Sequence, residues 1–246
     1  MIDDKEERIT SRQNRWFRRF LAAAKDHDQE IVIEGPKQIA DALGAGWKAI
    51  AVARSDEEQN AAVGARISFT RALMRELTDT RHPRGVIALF ERPSREAAAM
   101  FAGERTLIVV LDGIQDPGNV GTIVRLAAAF EATGVAITSG TADPFAPKAV
   151  RASAGAILLL PVISFERSEL IATLAQRGVS LHAAVTGTHA ARLERPAAIA
   201  FGSEGNGVSE EILAAAIPVS VPISPRVESL NVAAAAAILL SRGYGN

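Results

Sequence analysis

Asp116-Pro-Gly-Asn-Val-Gly-Thr-Ile-Val-Arg125 joins a continuous apolar run over 107–111 to an Ala- and Leu-rich helical pattern over 120–130. An apolar strand, a tight glycine-containing turn and a helix, in that order, form the unit from which mostly parallel α/β sheets are built. Two later segments repeat the arrangement. Phe201-Gly-Ser-Glu-Gly-Asn-Gly207 continues an apolar run over 198–201, and Val221-Pro-Ile-Ser-Pro-Arg-Val-Glu-Ser-Leu-Asn231 continues one over 219–223 and leads into an alanine-rich helix over 229–240. All three read as loops at strand ends. Ligands of open parallel sheets bind at the carboxyl ends of the strands, so the three loops are expected to converge on one pocket.

Working outward, strands are expected over 135–138, 158–163 and 180–185, and helices over 147–156, 169–177 and 210–216, which extends the parallel sheet and covers both its faces. Towards the N-terminus the strands become shorter, at 30–33, 49–53, 67–69 and 86–89, and alternate with helices over 36–43 and 71–78. An amphipathic helix over 10–24 precedes them, with Trp16, Phe17, Phe20 and Leu21 on its apolar side. The proline and charges of Glu91-Arg-Pro-Ser-Arg-Glu96 interrupt the pattern. The expected organisation is a small α/β domain over 1–95, a linker over 96–104 and a larger α/β domain over 105–246.

A chain of 246 residues that is 48% apolar has enough material for two such cores. It contains no cysteine, which excludes disulfides, thiol nucleophiles and thiolate metal sites. His27, His82, His182 and His189 include no pair at ligand spacing, so no metal is expected. The opening Met1-Ile-Asp-Asp-Lys-Glu-Glu-Arg8 lacks the apolar core of a signal peptide, and no apolar run is long enough to cross a bilayer, so a cytoplasmic protein without membrane contact is expected. The net charge of −1 argues against a globally basic coat. Locally, however, Arg12, Arg15, Arg18 and Arg19 fall in a stretch over 9–25 without an acid, a patch suited to RNA phosphates.

Each loop has a plain reading and a chemical one. In the first, Asn119 is either an N-cap at a strand-to-helix turn or a polar group aimed into a site, and Arg125 is either a solvent-facing arginine or a fixed fork for phosphate. The second loop has the spacing G-x-x-G-x-G, which does not match the dinucleotide fingerprint; its Glu204 suits ribose hydroxyls or a cation such as Arg125 better than it suits a pyrophosphate. Ser209 would cap the helix that follows. In the third, Ser229 reads as an N-cap, while the proline-bracketed stretch before it would expose backbone groups suited to the flat face of an adenine.

In order and spacing these segments resemble the three motifs of the SpoU family of RNA ribose 2′-O-methyltransferases, within the knotted SPOUT superfamily. The resemblance covers about 105–246 and includes the connecting stretch Asp143-Pro-Phe-Ala-Pro-Lys-Ala-Val-Arg-Ala-Ser-Ala-Gly155. Ile9-Thr-Ser-Arg-Gln-Asn14 and Ile31-Val-Ile-Glu-Gly35 resemble the small ribosomal-protein-like substrate-binding domain that precedes many family members. The resemblance implies a C-terminal trefoil knot, a homodimer whose site is completed across the interface, and S-adenosylmethionine as methyl donor. By motif position Gly202, Val221, Ile223 and Leu230 would line the donor site, and Asn119, Arg125, Glu204, Ser229 and Asn231 would be the catalytic and substrate-orienting set. Neutralising a guanidinium at pH 7 costs roughly 7 kcal/mol from its reference value, which favours Arg125 as an orienting group over a general base. Ribosomal RNA of the large subunit is expected ahead of transfer RNA. A non-catalytic RNA-binding or ribosome-assembly protein is the reading from another class.

Overall fold

In the computed structural model, residues 6–58, 64–78, 85–94, 96–187 and 193–243 are described; His82 and His189 lie outside them. The chain forms two compact units, Met1–Ser94 with Phe145–Arg151, and Arg95–Pro144 with Ala152–Asn246. These bounds differ from the expected ones in two places. The supposed linker contains a 3-10 turn, Ala97–Phe101, whose Met100 is fully buried in the second unit's core, so apolar burial removes it from a linker's role. Phe145 clusters with the first unit, where its ring lies 6.3 Å from that of Trp47 and the Arg92 guanidinium lies 4.4 Å from its centroid.

The first unit is a five-stranded sheet. Its elements are β1 (Glu7–Ile9), α1 (Arg15–Ala23), β2 (Glu30–Glu34), α2 (Pro36–Gly44), β3 (Ala49–Ser55), β4 (Ile67–Phe69), α3 (Arg71–Leu77) and β5 (Val86–Glu91), with strand order β1-β4-β3-β5-β2. β4 runs parallel to β1 and β3, while β5 is antiparallel to β3 and β2. Helix α1 begins at Arg15, later than its apolar pattern suggests, because the Asn14 side chain accepts the Trp16 N–H and fixes the start. Its Phe17 and Phe20 meet Phe69 edge to face, with centroids 6.1 and 5.6 Å apart.

The second unit carries β6 (Leu107–Asp112), α4 (Pro117–Ala129), β7 (Gly134–Ile137), β8 (Val162–Ser164), α6 (Arg167–Gln176), β9 (Ser180–Ala184), β10 (Ala197–Gly202), α7 (Glu210–Ala215), β11 (Ile217–Val219) and α8 (Val232–Gly243); α5 (Pro147–Ala152) lies between β7 and β8 in the chain. Six strands in the order β11-β9-β10-β6-β7-β8 are all parallel. Alternate residues of the central strands, Ile108 and Val110, Ala198 and Ala200, Leu181 and Ala183, pack on one side with Leu170 and Leu174 of α6 and Ile212 of α7. On the other side α8 packs against α4 and β10. The strand expected over 219–223 stops at Val219, since Pro222 and Pro225 offer no N–H to a ladder. That over 158–163 begins only at Val162, past Pro161, and residues Ala156–Leu158 form a 3-10 turn instead.

Candidate active site

Because β6, β10 and β11 are parallel within one sheet, their carboxyl ends share an edge, and each opens into one of the three loops. Side chains from all three loops meet there. The Asn119 Nδ2 donates to Glu204 Oε1 at 2.9 Å, and the Asn231 Nδ2 donates to the same oxygen at 3.2 Å and to Asn119 Oδ1 at 3.3 Å. Asn231 is also the cap of α8, its Oδ1 accepting the N–H groups of Ala233 at 2.9 Å and Ala234 at 3.4 Å. Helix starts therefore lie elsewhere than the plain readings put them. Asp116, accepting the Gly118 N–H at 3.1 Å, caps α4 and leaves Asn119 within its first turn, and Asn231 rather than Ser229 caps α8.

The second loop is held by a close backbone approach. Ser203 and Gly207 exchange backbone hydrogen bonds, Ser203 N–H to Gly207 at 3.0 Å and Gly207 N–H to Ser203 at 2.9 Å, which closes the loop on itself. A Cβ on Gly202 would lie 2.0 Å from the Gly207 carbonyl carbon and 2.1 Å from the Val208 nitrogen, so no side chain fits. Glycine is required here by the close approach of the backbone at Gly207 and Val208. Beside the loop lies a cavity of about 440 Å³, lined by Gly202, Glu204, Val221, Ile223, Ser229 and Leu230, with Phe201, Val232 and Leu239 among its apolar walls. All four residues expected around the donor border this one space. Its volume falls in the range of roughly 300–1,000 Å³ usual for small-molecule sites.

Arg125 stands apart from the triad. It is exposed on α4 and does not bond Glu204, whose partners are the two asparagine amides. Of the partners open to Glu204 from the sequence, Asn119 takes it and Arg125 does not among the described residues. At 100° per residue a helix turns Arg125 well away from Asn119, so the two do not point to one spot from the same helix.

A buried carboxylate behind the loop went unnoticed in the sequence. Asp112, at the end of β6 and 2% exposed, accepts Arg167 Nε at 2.7 Å and Thr138 Oγ1 at 2.6 Å on Oδ1, and the Ser209 backbone N–H at 2.7 Å on Oδ2. Burial pushes its carboxyl up, but the hydrogen bonds from Thr138, Ser209 and Arg167 outweigh that and hold it below the usual carboxylate range. Ser209 thus sits at the N-cap of α7 but contributes its N–H to Asp112, without a side-chain cap bond. An acid closing a fully apolar run was the one available signal.

In the first unit the four arginines divide. Arg12 forms a fork on Glu76, with contacts of 3.0 and 2.7 Å, and Arg19 pairs with Glu30. Arg15 and Arg18 are exposed without an ion pair among the described residues. The Arg15 and Arg19 guanidinium carbons lie 5.5 and 5.7 Å from the Trp16 ring centroid. Among the described residues no group of His, Asp and Glu could hold a metal ion, and no helix is long and apolar enough to cross a membrane.

Comparison with known proteins agrees with this architecture. The model of the SpoU rRNA Methylase family matches residues 106–241. An uncharacterised tRNA/rRNA methyltransferase of Synechocystis is 32% identical over 94% of this chain and 91% of its own length. The Bacillus subtilis 23S rRNA (guanosine(2553)-2′-O)-methyltransferase RlmP is 32% identical over 67% of this chain and 66% of its own. The AdoMet-bound rRNA methyltransferase of Sinorhizobium meliloti superposes with a TM-score of 0.82 at 27% identity, covering 96% of each chain. With the family's model matched across the three loops that build the site, the chain is an RNA methyltransferase of the SpoU rRNA Methylase family.

Proposed function

We propose that the protein transfers a methyl group from S-adenosylmethionine to a ribose 2′-hydroxyl of RNA, with large-subunit ribosomal RNA as substrate. The observation that carries this reading is the meeting of Asn119, Glu204 and Asn231 beside the cavity lined by Gly202, Val221, Ile223 and Leu230. RlmP's 2′-O activity on 23S rRNA supports the acceptor and the RNA, and the AdoMet-bound neighbour supports the donor.

The donor supplies an already activated methyl on a sulfonium, so the protein's work is alignment. Gly202, Val221, Ile223 and Leu230 would hold it, largely through backbone and apolar surface. Glu204 bonds the two asparagine amides, and Ser229 at the cavity wall and Asn231 would hydrogen-bond the acceptor ribose. Arg125, exposed and turned away from the triad of its own chain, would act across the dimer interface as a fork on the hydroxyl and its neighbouring phosphate, and the hydroxyl proton passes to water late in the transfer. Holding reactants in line in this way supplies much of the acceleration.

Three further parts belong to the reading. The N-terminal unit is a ribosomal-protein-like RNA-binding domain, supported by Arg15 and Arg18 on α1, which are exposed and form no ion pair among the described residues. The last helix is threaded through a trefoil knot, supported by its packing on α4 after the long segment that follows β11. The protein acts in the cytoplasm as a homodimer, supported by apolar surface at Leu159, 69% exposed, and Ile238, 37% exposed. Sedimentation of Leu159→Glu as a monomer, with wild type as a dimer, is the expected outcome.

The decisive experiment is transfer of labelled methyl from S-adenosylmethionine to unmodified large-subunit ribosomal RNA and to bulk transfer RNA, followed by mapping of 2′-O-methylated positions. One labelled ribose in ribosomal RNA is expected. Label in transfer RNA alone would replace the substrate, and donor binding without transfer to either would favour an RNA-binding assembly protein.

A further inference from the structure

We propose that Asp112 is a positioning residue for methyl-donor binding, acting through the Ser209 backbone N–H to set the exit of the loop over 203–208. The inference rests on the donor reading of the cavity and adds to it a residue outside the three loops.

The argument starts from how that loop is anchored. At its entry, Gly202 is paired in register with Asp112 across β10 and β6. The loop then closes through the Ser203–Gly207 bridge, with the Asn206 N–H on Ser203 Oγ at 3.1 Å. Because Gly202 leaves no room for a side chain against Gly207 and Val208, the outgoing backbone runs directly over the strand end. At the exit, the Ser209 N–H is received by Asp112 Oδ2 at 2.7 Å. A single residue therefore fixes both ends of the loop, one through its backbone register and the other through its carboxylate. The loop between them carries Glu204, and residues 202–208 all border the cavity.

The two carboxylate oxygens have separate duties. Oδ1 takes Thr138 and Arg167, tying β6 to the end of β7 and the start of α6, and Arg167 also donates to Ser139 Oγ at 2.7 Å and the Ser139 carbonyl at 2.8 Å. Oδ2 takes the loop. Sheet stability and loop position can accordingly be separated by mutation.

Ser209→Pro removes the N–H on the loop side, at a φ of −60° that proline adopts, together with the buried Ser209 hydroxyl, whose loss alone in the control Ser209→Ala should leave the donor Kd unchanged. Thr138→Val removes only a hydroxyl on the sheet side. Measured by calorimetric titration with S-adenosylmethionine, the donor Kd should rise about tenfold in Ser209→Pro, while RNA affinity stays at the wild-type value. Thr138→Val should lower the melting temperature and leave the donor Kd unchanged. If the proline variant does not fold, Asp112→Asn decides: its amide nitrogen, directed away from Arg167, would face the Ser209 N–H donor to donor, and the same rise in Kd is expected. Wild-type affinity in the loop-side variants, or a Kd that follows melting temperature in both branches, would overturn the proposal. Failure of the wild-type protein itself to bind S-adenosylmethionine would instead overturn the donor reading, and this inference with it.

Discussion

Asn231 does two jobs with opposite ends of one amide, and this permits a clean test of the polar triad. Its oxygen caps α8 and its nitrogen bonds Glu204 and Asn119. Asn231→Ala should lose both functions, costing about 1 kcal/mol of stability for the cap alone. Asn231→Asp keeps an acceptor at the helix start, where negative charge is favourable, but removes the donor and sets a second carboxylate against Glu204. The expected result is a melting temperature near wild type for the aspartate variant with single-turnover methylation reduced at least tenfold. Undiminished turnover would mean that the triad is not used in transfer. Arg125 poses a different question, since its guanidinium is exposed and outside the triad. If it works as a planar fork on hydroxyl and phosphate, Arg125→Lys should lose turnover at unchanged RNA affinity, because an ammonium supplies charge without the fork. Near-normal turnover in that variant would reduce Arg125 to a charge.

At the scale of elements, the structure divides the arginines in and before α1 by their partners. Two of its neighbourhood's arginines are held by acids from other elements, Arg12 by Glu76 of α3 and Arg19 by Glu30 of β2, whereas Arg15 and Arg18 are not. Replacing Arg15 and Arg18 with glutamine should therefore flatten the dependence of log affinity on log salt by about 0.7–0.9 per lost phosphate contact, and replacing Arg12 should change it less. An unchanged slope in the double variant would remove α1 from the RNA surface. The acid partners were invisible in the sequence because 9–25 contains none; they arrive from 30 and 76. The same limit explains the rest of what was and was not legible. Central strands β6 and β10 were read well because burial on both faces leaves continuous apolar runs. β1, three residues at a sheet edge with charged neighbours, gave no such run. The residues around the cavity were readable because glycines, prolines and asparagines cluster at turns, while Asp112, Thr138 and Arg167 are single polar residues that only the fold assembles.

For the second unit as a whole, two buried titratable groups in its parallel sheet predict how the fold yields to acid. Asp112 ends the central strand β6, and His182 lies in β9, 4% exposed, with no hydrogen-bond partner for Nδ1 among the described residues. Burial holds the His182 imidazole below its ordinary value, which favours its neutral form in the folded protein. Both groups thus have depressed folded values, and the sign is the same for each: the unfolded chain binds more protons, so stability is full above the unfolded value and declines as pH falls towards the folded one. For histidine that decline begins near the reference value of about 6.5, and for aspartate near about 3.9. Chemical denaturation followed across pH should therefore show a first loss of stability below about pH 6.5 and a second below about pH 4. His182→Leu should flatten the first and leave the second, since it removes a titrating group whose Nδ1 has no hydrogen-bond partner among the described residues. Asp112→Asn should lower stability at neutral pH, where the carboxylate is charged and bonded, and flatten the second. If His182→Leu instead left the profile between pH 6.5 and 4.5 unchanged, the buried histidine would not be the group through which the folded sheet responds to mild acid.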